Sequence, residues 1–165
     1  MTMAKHLVPG KLFFTCGVGR HSDLLMSFAL ALRDAGIEYL NLVVVSSIVP
    51  PDCQIISKEL GIVELNPGEI AFVVLSRNAS DIAGELVSAS IGCALPGSPG
   101  RFGYLAEYHT TGTSRDETLE YACDLAAEMY GALAGDDSPE IMGIADDAVV
   151  GDGWMTVVCA AVFLL

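Results

Sequence analysis

The residues best placed to do chemistry are two adjacent serines in the stretch Asn41-Leu42-Val43-Val44-Val45-Ser46-Ser47-Ile48-Val49-Pro50-Pro51. Residues 41–45 read as a buried β-strand, because the run of aliphatic and β-branched side chains is too short for a helix. Pro50 and Pro51 end it, since proline cannot donate to a ladder. The two hydroxyls therefore sit where an ordered strand stops and the chain is free to turn. A serine hydroxyl can attack the carbonyl of the residue before it when the peptide is held strained and the oxyanion is stabilised. The product is an ester. β-Elimination of that ester leaves dehydroalanine, which hydrolyses to a pyruvoyl group at a new N-terminus. Ser47 is then the nucleophile and Ser46–Ser47 the broken bond. The plainer reading is a polar strand end, of the kind that Ser and Pro commonly punctuate.

A second candidate is Glu107, an acid between Ala106 and Tyr108 in an otherwise apolar stretch. It is either an exposed strand position or a partly buried carboxyl that carries a proton at neutral pH. His109 is the base that a serine hydrolase would need beside Ser46 or Ser47. Against that class, the chain has no Gly-x-Ser-x-Gly elbow and only three histidines.

The elements that must position these residues follow from periodicity and punctuation. Residues 11–16 read as the first strand. Gly17-Val18-Gly19 reads as a turn that lets the backbone approach a small ligand, and the third glycine of a nucleotide fingerprint is absent. Ser22 is placed to cap a helix running to about Asp34, with Leu24, Leu25, Phe28, Leu32 and Ala35 on one apolar face and Gly36 as its stop. The next strand carries Glu38, Asn41 and the serines. Residues 52–68 read as an irregular excursion and residues 70–75 as a strand. Residues 86–95 and 101–109 form a hairpin about Pro96–Gly100. Ser114 and Glu117 make a capping box for a helix to about Ala134, ended by Gly135. Its stripe of Leu119, Ala122, Cys123, Ala126, Met129, Tyr130 and Leu133 reads as core. Two strands, near 140–149 and 154–164, are joined across Gly151-Asp152-Gly153. The sum is a layered α+β domain.

Composition narrows the function classes. The chain has 165 residues, 52% hydrophobic and 18% charged, which fits one globular domain with a substantial core. A formal charge of -13 argues against a nucleic-acid partner. It suits either a small cationic substrate or an acidic surface adapted to a salty cytosol. The five cysteines lack the close spacing of a metal or redox motif, so no metal is expected and all five read as reduced thiols of a cytoplasmic protein. The region of Lys5 and Lys11 lacks the apolar core of a signal peptide. The apolar run from Met155 to Leu165 is too short to cross a membrane and reads as a buried last strand, so no membrane partner is expected.

Several separate segments carry a resemblance. Ala35-Gly36-Ile37, Asn41-Leu42, Ser46-Ser47-Ile48 and Pro50-Pro51 resemble the central block of the pyruvoyl-dependent arginine decarboxylases. Gly84-Glu85, Ser88-Ala89-Ser90-Ile91 and Pro96 resemble the block after it. Gly103-Tyr104-Leu105-Ala106-Glu107-Tyr108 resembles the segment that holds the family's acid. The resemblance implies a four-layer αββα sandwich, a single domain over 1–165 that cuts itself into a β chain, 1–46, and an α chain, 47–165. It implies a pyruvoyl group made from Ser47, with no pyridoxal phosphate, that forms a Schiff base with the substrate amine and serves as electron sink. Glu107 matches the proton donor, and Asn41 matches an amide that orients the scissile peptide. Leu25, Leu32 and Glu38 match substrate-binding positions. The implied assembly is a homotrimer or a dimer of trimers, with active sites between protomers, and the implied reaction is arginine to agmatine and CO2 in polyamine biosynthesis. One departure stands out. Ala29 occupies the place of the family's Asp that faces the guanidinium, and Glu38 is the carboxylate that could replace it. Asp34, five residues on, falls at the helix end. A self-processing relative that takes a different amine, or a non-catalytic partner subunit, is the alternative.

Overall fold

The small residues of the last strand set the architecture. The computed structural model describes residues 7–134 and 137–165; Lys5 and Gly135 lie outside the described residues. In chain order the elements are β1 (Lys11–His21), α1 (Leu24–Asp34), β2 (Asn41–Val44), β3 (Ile48–Val49), β4 (Gln54–Ile55), α2 (Lys58–Ile62), β5 (Ile70–Ser80), β6 (Leu86–Leu95), β7 (Gly103–Thr111), α3 (Arg115–Ala134), β8 (Glu140–Val149) and β9 (Trp154–Leu164). They form a mixed α+β domain with a five-stranded sheet ordered β2-β5-β9-β1-β4 and a four-stranded sheet ordered β3-β7-β6-β8. β9 is central in the first sheet, and its run Val157-Val158-Cys159-Ala160-Ala161-Val162 is fully buried. Alternate residues of that run point to opposite faces. Val157, Cys159 and Ala161 join Val74, Ile91, Leu105 and others in a core fed by both sheets. Val158, Ala160 and Val162 pack with Ala31 of α1 and with Ala35, the residue that caps its C-terminus.

Gly17 and Gly19 are not a turn. β1 runs through them to His21. An ideal Cβ on Gly17 would stand 2.2 Å from the Ala31 carbonyl oxygen, and one on Gly19 would stand 2.1 Å from that of Ser27. The glycines therefore let α1 lie directly on the strand, and what approaches them is helix backbone rather than a ligand. The same closeness explains the helix face. Ser27 and Ala31 are the buried residues of α1, while Leu25 is 72% exposed, so the expected apolar stripe is displaced towards small residues. The Ser27 hydroxyl meets Thr156 Oγ1 at 2.7 Å, which satisfies two buried polar groups. The cap is Asp23, not Ser22: its carboxylate accepts from the Met26 N–H at 3.0 Å.

Three other expectations change. The strand leading to the serines is an exposed edge, with Val44 64% exposed, because only β5 pairs with it. Glu38 lies in the turn before that strand rather than within it. The excursion over 52–68 contains the short elements β4 and α2. The hairpin, the capping box and the last two strands stand as read. Ser114 donates through its hydroxyl and its backbone N–H to Glu117 Oε2, at 2.7 and 3.1 Å. α3 covers β6, β7 and β8, and Ser88 Oγ pairs with Thr118 Oγ1 at 2.9 Å beneath it.

The expectation of five reduced thiols is also corrected. Cys16 and Cys159 stand opposite each other in the β1–β9 register and form a disulfide, leaving Cys53, Cys93 and Cys123 free. The partners are 143 residues apart in sequence, so spacing could not reveal them.

Candidate active site

The two serines lie on the link between the sheets. Upstream, Val45 still belongs to the first sheet, donating its N–H to the Val73 carbonyl of β5 at 2.9 Å. Downstream, Ser47 already belongs to the second, its carbonyl accepting from Leu105 N–H of β7 at 2.7 Å. Ile48 and Val49 continue that pairing opposite Tyr104 and Gly103. The Ser46–Ser47 peptide thus crosses from one sheet to the other. Within it, the Ile48 N–H donates to the Ser46 carbonyl oxygen at 3.1 Å, closing a three-residue turn around Ser47. That oxygen becomes the oxyanion if Ser47 Oγ attacks the Ser46 carbonyl carbon, so a backbone donor is already aimed at it.

An apolar cavity of about 510 Å³ opens beside Ser46. Val45, Ile48, Phe72, Phe102 and Phe163 line it together with the N-terminal residues Leu7 to Pro9, and among its described lining residues Ser46 alone carries a polar side chain. Phe102 and the N-terminal segment were not foreseen as parts of the site. Nothing local marks them; only the tertiary path brings them there.

Glu107 and His109 follow Leu105 on β7, and by the two-residue period both share its face. Glu107 is two positions beyond the residue that holds Ser47, roughly 7 Å along the strand, and His109 roughly 13 Å. Within the single chain Glu107 is exposed, the plainer of its two readings. Asn41 is not brought to the scissile peptide. Its amide donates to the Gly68 carbonyl at 2.8 Å, and it stands five residues before Ser46, roughly 16 Å away along an extended strand.

The α1 candidates form a separate group on the outer face of the first sheet. Leu25 and Ala29 are exposed, and Leu32 is half-buried against the core beneath α1. Asp34 cannot stand in for the acid missing at Ala29, because its Oδ2 accepts the Val18 N–H at 2.9 Å. Glu38 Oε1 lies 3.6 Å from Arg33 Nε. The Arg77 guanidinium sits 4.3 Å over the Phe28 ring, a cation–π contact that the sequence did not announce.

Other nucleophiles are poor. Burial pushes the Cys53 thiol up to about 11 and the Cys93 thiol up to about 12, and it raises Cys123 as well. Among the described residues, no group of three or more His, Cys, Asp or Glu side chains is arranged to hold a metal ion. No helix among them is long and apolar enough to cross a membrane.

Comparison with known proteins agrees along the whole chain. The family model described as pyruvoyl-dependent arginine decarboxylase matches residues 11–165. A pyruvoyl-dependent arginine decarboxylase of Methanocella arvoryzae is 49% identical over 166 residues, covering 99% of this chain and 100% of the relative. Pyruvoyl-dependent arginine decarboxylase 1 of Methanosarcina acetivorans is 46% identical over 165 residues, covering 99% and 100%. A probable pyruvoyl-dependent arginine decarboxylase of Chlorobaculum tepidum is 52% identical over 128 residues, covering 78% of this chain and 71% of the relative.

Proposed function

We infer that this chain, which belongs to the pyruvoyl-dependent arginine decarboxylase family, is a carboxy-lyase that converts arginine to agmatine and CO2 through a pyruvoyl group made from Ser47. The observation that carries the assignment of Ser47 is the turn around it, with the Ile48 N–H on the Ser46 carbonyl. Ser47 Oγ attacks that carbonyl carbon, and the peptide becomes an ester with a free amine on Ser47. Removal of the Ser47 Cα proton expels the Ser46 carboxylate, and hydrolysis of the resulting enamine releases ammonia. The chain then ends at Ser46 in a β chain, 1–46, and begins anew at residue 47 in an α chain, 47–165.

The surroundings fit a pyruvoyl group at this position. Each side of the cut keeps a partner in its own sheet, through Val73 on one side and Leu105 on the other, so the new ends stay in place. The pyruvoyl carbonyl supplies the electron sink for decarboxylation, so no pyridoxal phosphate is required. The apolar wall of Ile48, Phe72, Phe102 and Phe163 lowers the polarity beside it, which strengthens charge interactions there. Glu107 holds the proton that is delivered after CO2 leaves, and it also assists maturation. Asn41 orients the scissile segment from the far end of β2, by fixing that strand to Gly68.

The domain works as a four-layer αββα sandwich within a homotrimer or a dimer of trimers. Supporting the layers, α1 lies on the five-stranded sheet, α3 lies on the four-stranded sheet, and a shared core lies between. Supporting the assembly, the candidate residues that one chain keeps apart are exposed: Glu107 near Ser47, Leu25 and Ala29 on α1. A neighbouring protomer can join the two groups and desolvate Glu107. Apolar side chains at the β2 edge, with Val43 41%, Val44 64% and Ile48 41% exposed, suit burial against a second copy. Leu25 and Leu32 then flank the substrate's methylene chain, and Glu38, freed from Arg33, meets its guanidinium. The enzyme works in the cytoplasm, in polyamine biosynthesis.

The test is CO2 release from cleaved protein offered arginine, lysine, ornithine and neutral amino acids, before and after borohydride. Arginine turnover that borohydride abolishes is expected. Turnover of another amino acid alone would remove arginine as substrate, and resistance to borohydride would remove the pyruvoyl group.

A further inference from the structure

Downstream of the serines, the chain makes a turn that few sequences tolerate. Pro50 accepts through its carbonyl from the Cys53 N–H at 3.3 Å, so Pro50 to Cys53 is a β-turn. Pro51 occupies its second position with φ locked negative. Asp52, the third, has φ 58, and among the described residues it is the one non-glycine with positive φ. Negative then positive is the type II pattern, which calls for Gly or Asn at the third position. An Asp there is strained unless something else favours it.

What favours it is a contact. Asp52 Oδ1 accepts the Gly100 N–H at 3.2 Å. Gly100 belongs to the loop between β6 and β7, the same hairpin whose β7 pairs with Ser47, Ile48 and Val49. The cleavage segment is therefore clamped to one hairpin at two points, on either side of Pro50. The loop is itself anchored. Ser98 Oγ donates to Asp137 Oδ1 at 2.9 Å, Arg101 lies 3.5 Å from Asp137 Oδ2, and the Tyr130 hydroxyl of α3 donates to the same carboxylate. Beyond the turn, Gln54 N–H bonds Gly10 O at 3.0 Å, where the chain rejoins the far edge of the first sheet.

We propose that Asp52 is a positioning residue for self-cleavage: its bond to Gly100 holds the Ser47 turn in the geometry in which Oγ can reach the Ser46 carbonyl. The inference rests on the assignment of Ser47 as the self-cleaved residue. Without the second clamp, residues 48–52 can relax towards solvent, and the turn around Ser47 opens. Glycine at position 52 satisfies the positive φ but supplies no acceptor. Asparagine satisfies both, because it tolerates that φ and keeps a side-chain oxygen. Alanine satisfies neither.

The experiment compares freshly folded wild type with Asp52→Asn, Asp52→Gly and Asp52→Ala. It follows the fraction cleaved after Ser46 by mass spectrometry and the exchange of the Gly100 amide by hydrogen–deuterium exchange. Asp52→Gly and Asp52→Ala are expected to mature about tenfold more slowly, the scale of one lost bond to a charged acceptor. Their Gly100 amide should exchange faster. Asp52→Asn should stay near wild type in both readouts. Asp52→Gly should also keep the melting temperature of wild type, which separates positioning from loss of fold. Maturation of Asp52→Gly at the wild-type rate, or of Asp52→Asn as slowly as Asp52→Ala, overturns the proposal. A wild-type chain that stays whole overturns the Ser47 assignment instead, and the protected Gly100 amide then still reports on the clamp.

Discussion

The β1–β9 ladder and the Ser46–Ser47 link are opposites. In the ladder, eleven residues of β1 face eleven of β9, with α1 pressed against the glycines on one side and the shared core on the other. In the link, a three-residue turn is followed by a strand of two residues, and the apolar side chains around it are partly exposed. The ladder carries core residues on both of its faces, so losing it exposes both clusters. The link is held by a few backbone bonds at its ends, each to a different sheet, and a bond can break inside it without unpairing either. Chemistry that cuts the chain belongs where the frame does not depend on continuity.

The sharpest way to break this comparison is at the link. Ser47→Ala removes the attacking hydroxyl, so cleavage and CO2 release should both vanish while circular dichroism and thermal unfolding stay those of the uncut wild type. Residual cleavage at 46–47 would assign the nucleophile elsewhere.

Glu107→Gln should slow maturation or turnover about 100-fold, the usual range for one positioned acid or base. Its unfolding curve should be unchanged, since the side chain is exposed in the single chain. If both rates stay within twofold of wild type in the assembled protein, Glu107 has no part in the chemistry.

The frame should respond in the opposite way. Gly19→Val drives a side chain into a space where even a Cβ would lie 2.1 Å from the Ser27 carbonyl oxygen. It should cost about 3 kcal/mol or more, seen as a drop of several degrees in melting temperature. The protein that folds should still be cut after Ser46. A variant that folds normally but is cut slowly would mean that the α1–β1 contact tunes the site.

The smallest effect concerns pH. Desolvation raises the Cys93 thiol from 9.0 to about 12 in the folded state. Between those values the unfolded chain gives up the proton first and binds fewer protons, so stability falls as pH rises through roughly 9 to 12. Cys93→Ala should flatten that fall in urea titrations at pH 8 and pH 10.5. An unchanged slope would place the alkaline loss with other groups.

Much of this was legible in the chain. The hairpin at Pro96–Gly100, the Ser114–Glu117 capping box and the last two strands carry strong local signals. The serine pair and Glu107 could be named as candidates because their chemistry is local in sequence, and the structure places Glu107 two positions beyond Leu105, whose N–H holds Ser47. What stayed hidden was tertiary. Gly17 and Gly19 read as a turn because a glycine beneath a helix looks like a glycine in a loop. Leu25 read as core because helical period does not say how closely a helix packs. The Cys16–Cys159 bond depends on a register between the first strand and the last. Glu107 and the α1 residues share no contact within one chain, so neither sequence nor protomer joins them.

The proposed cut between Ser46 and Ser47 is read directly by denaturing mass spectrometry of the purified protein. Two chains are expected, residues 1–46 and 47–165, the larger lighter by about 17 Da, the mass of one ammonia, than the same sequence beginning with a free serine, and closed to Edman degradation because its terminus is a ketone. A single intact chain of 165 residues after long incubation would contradict it.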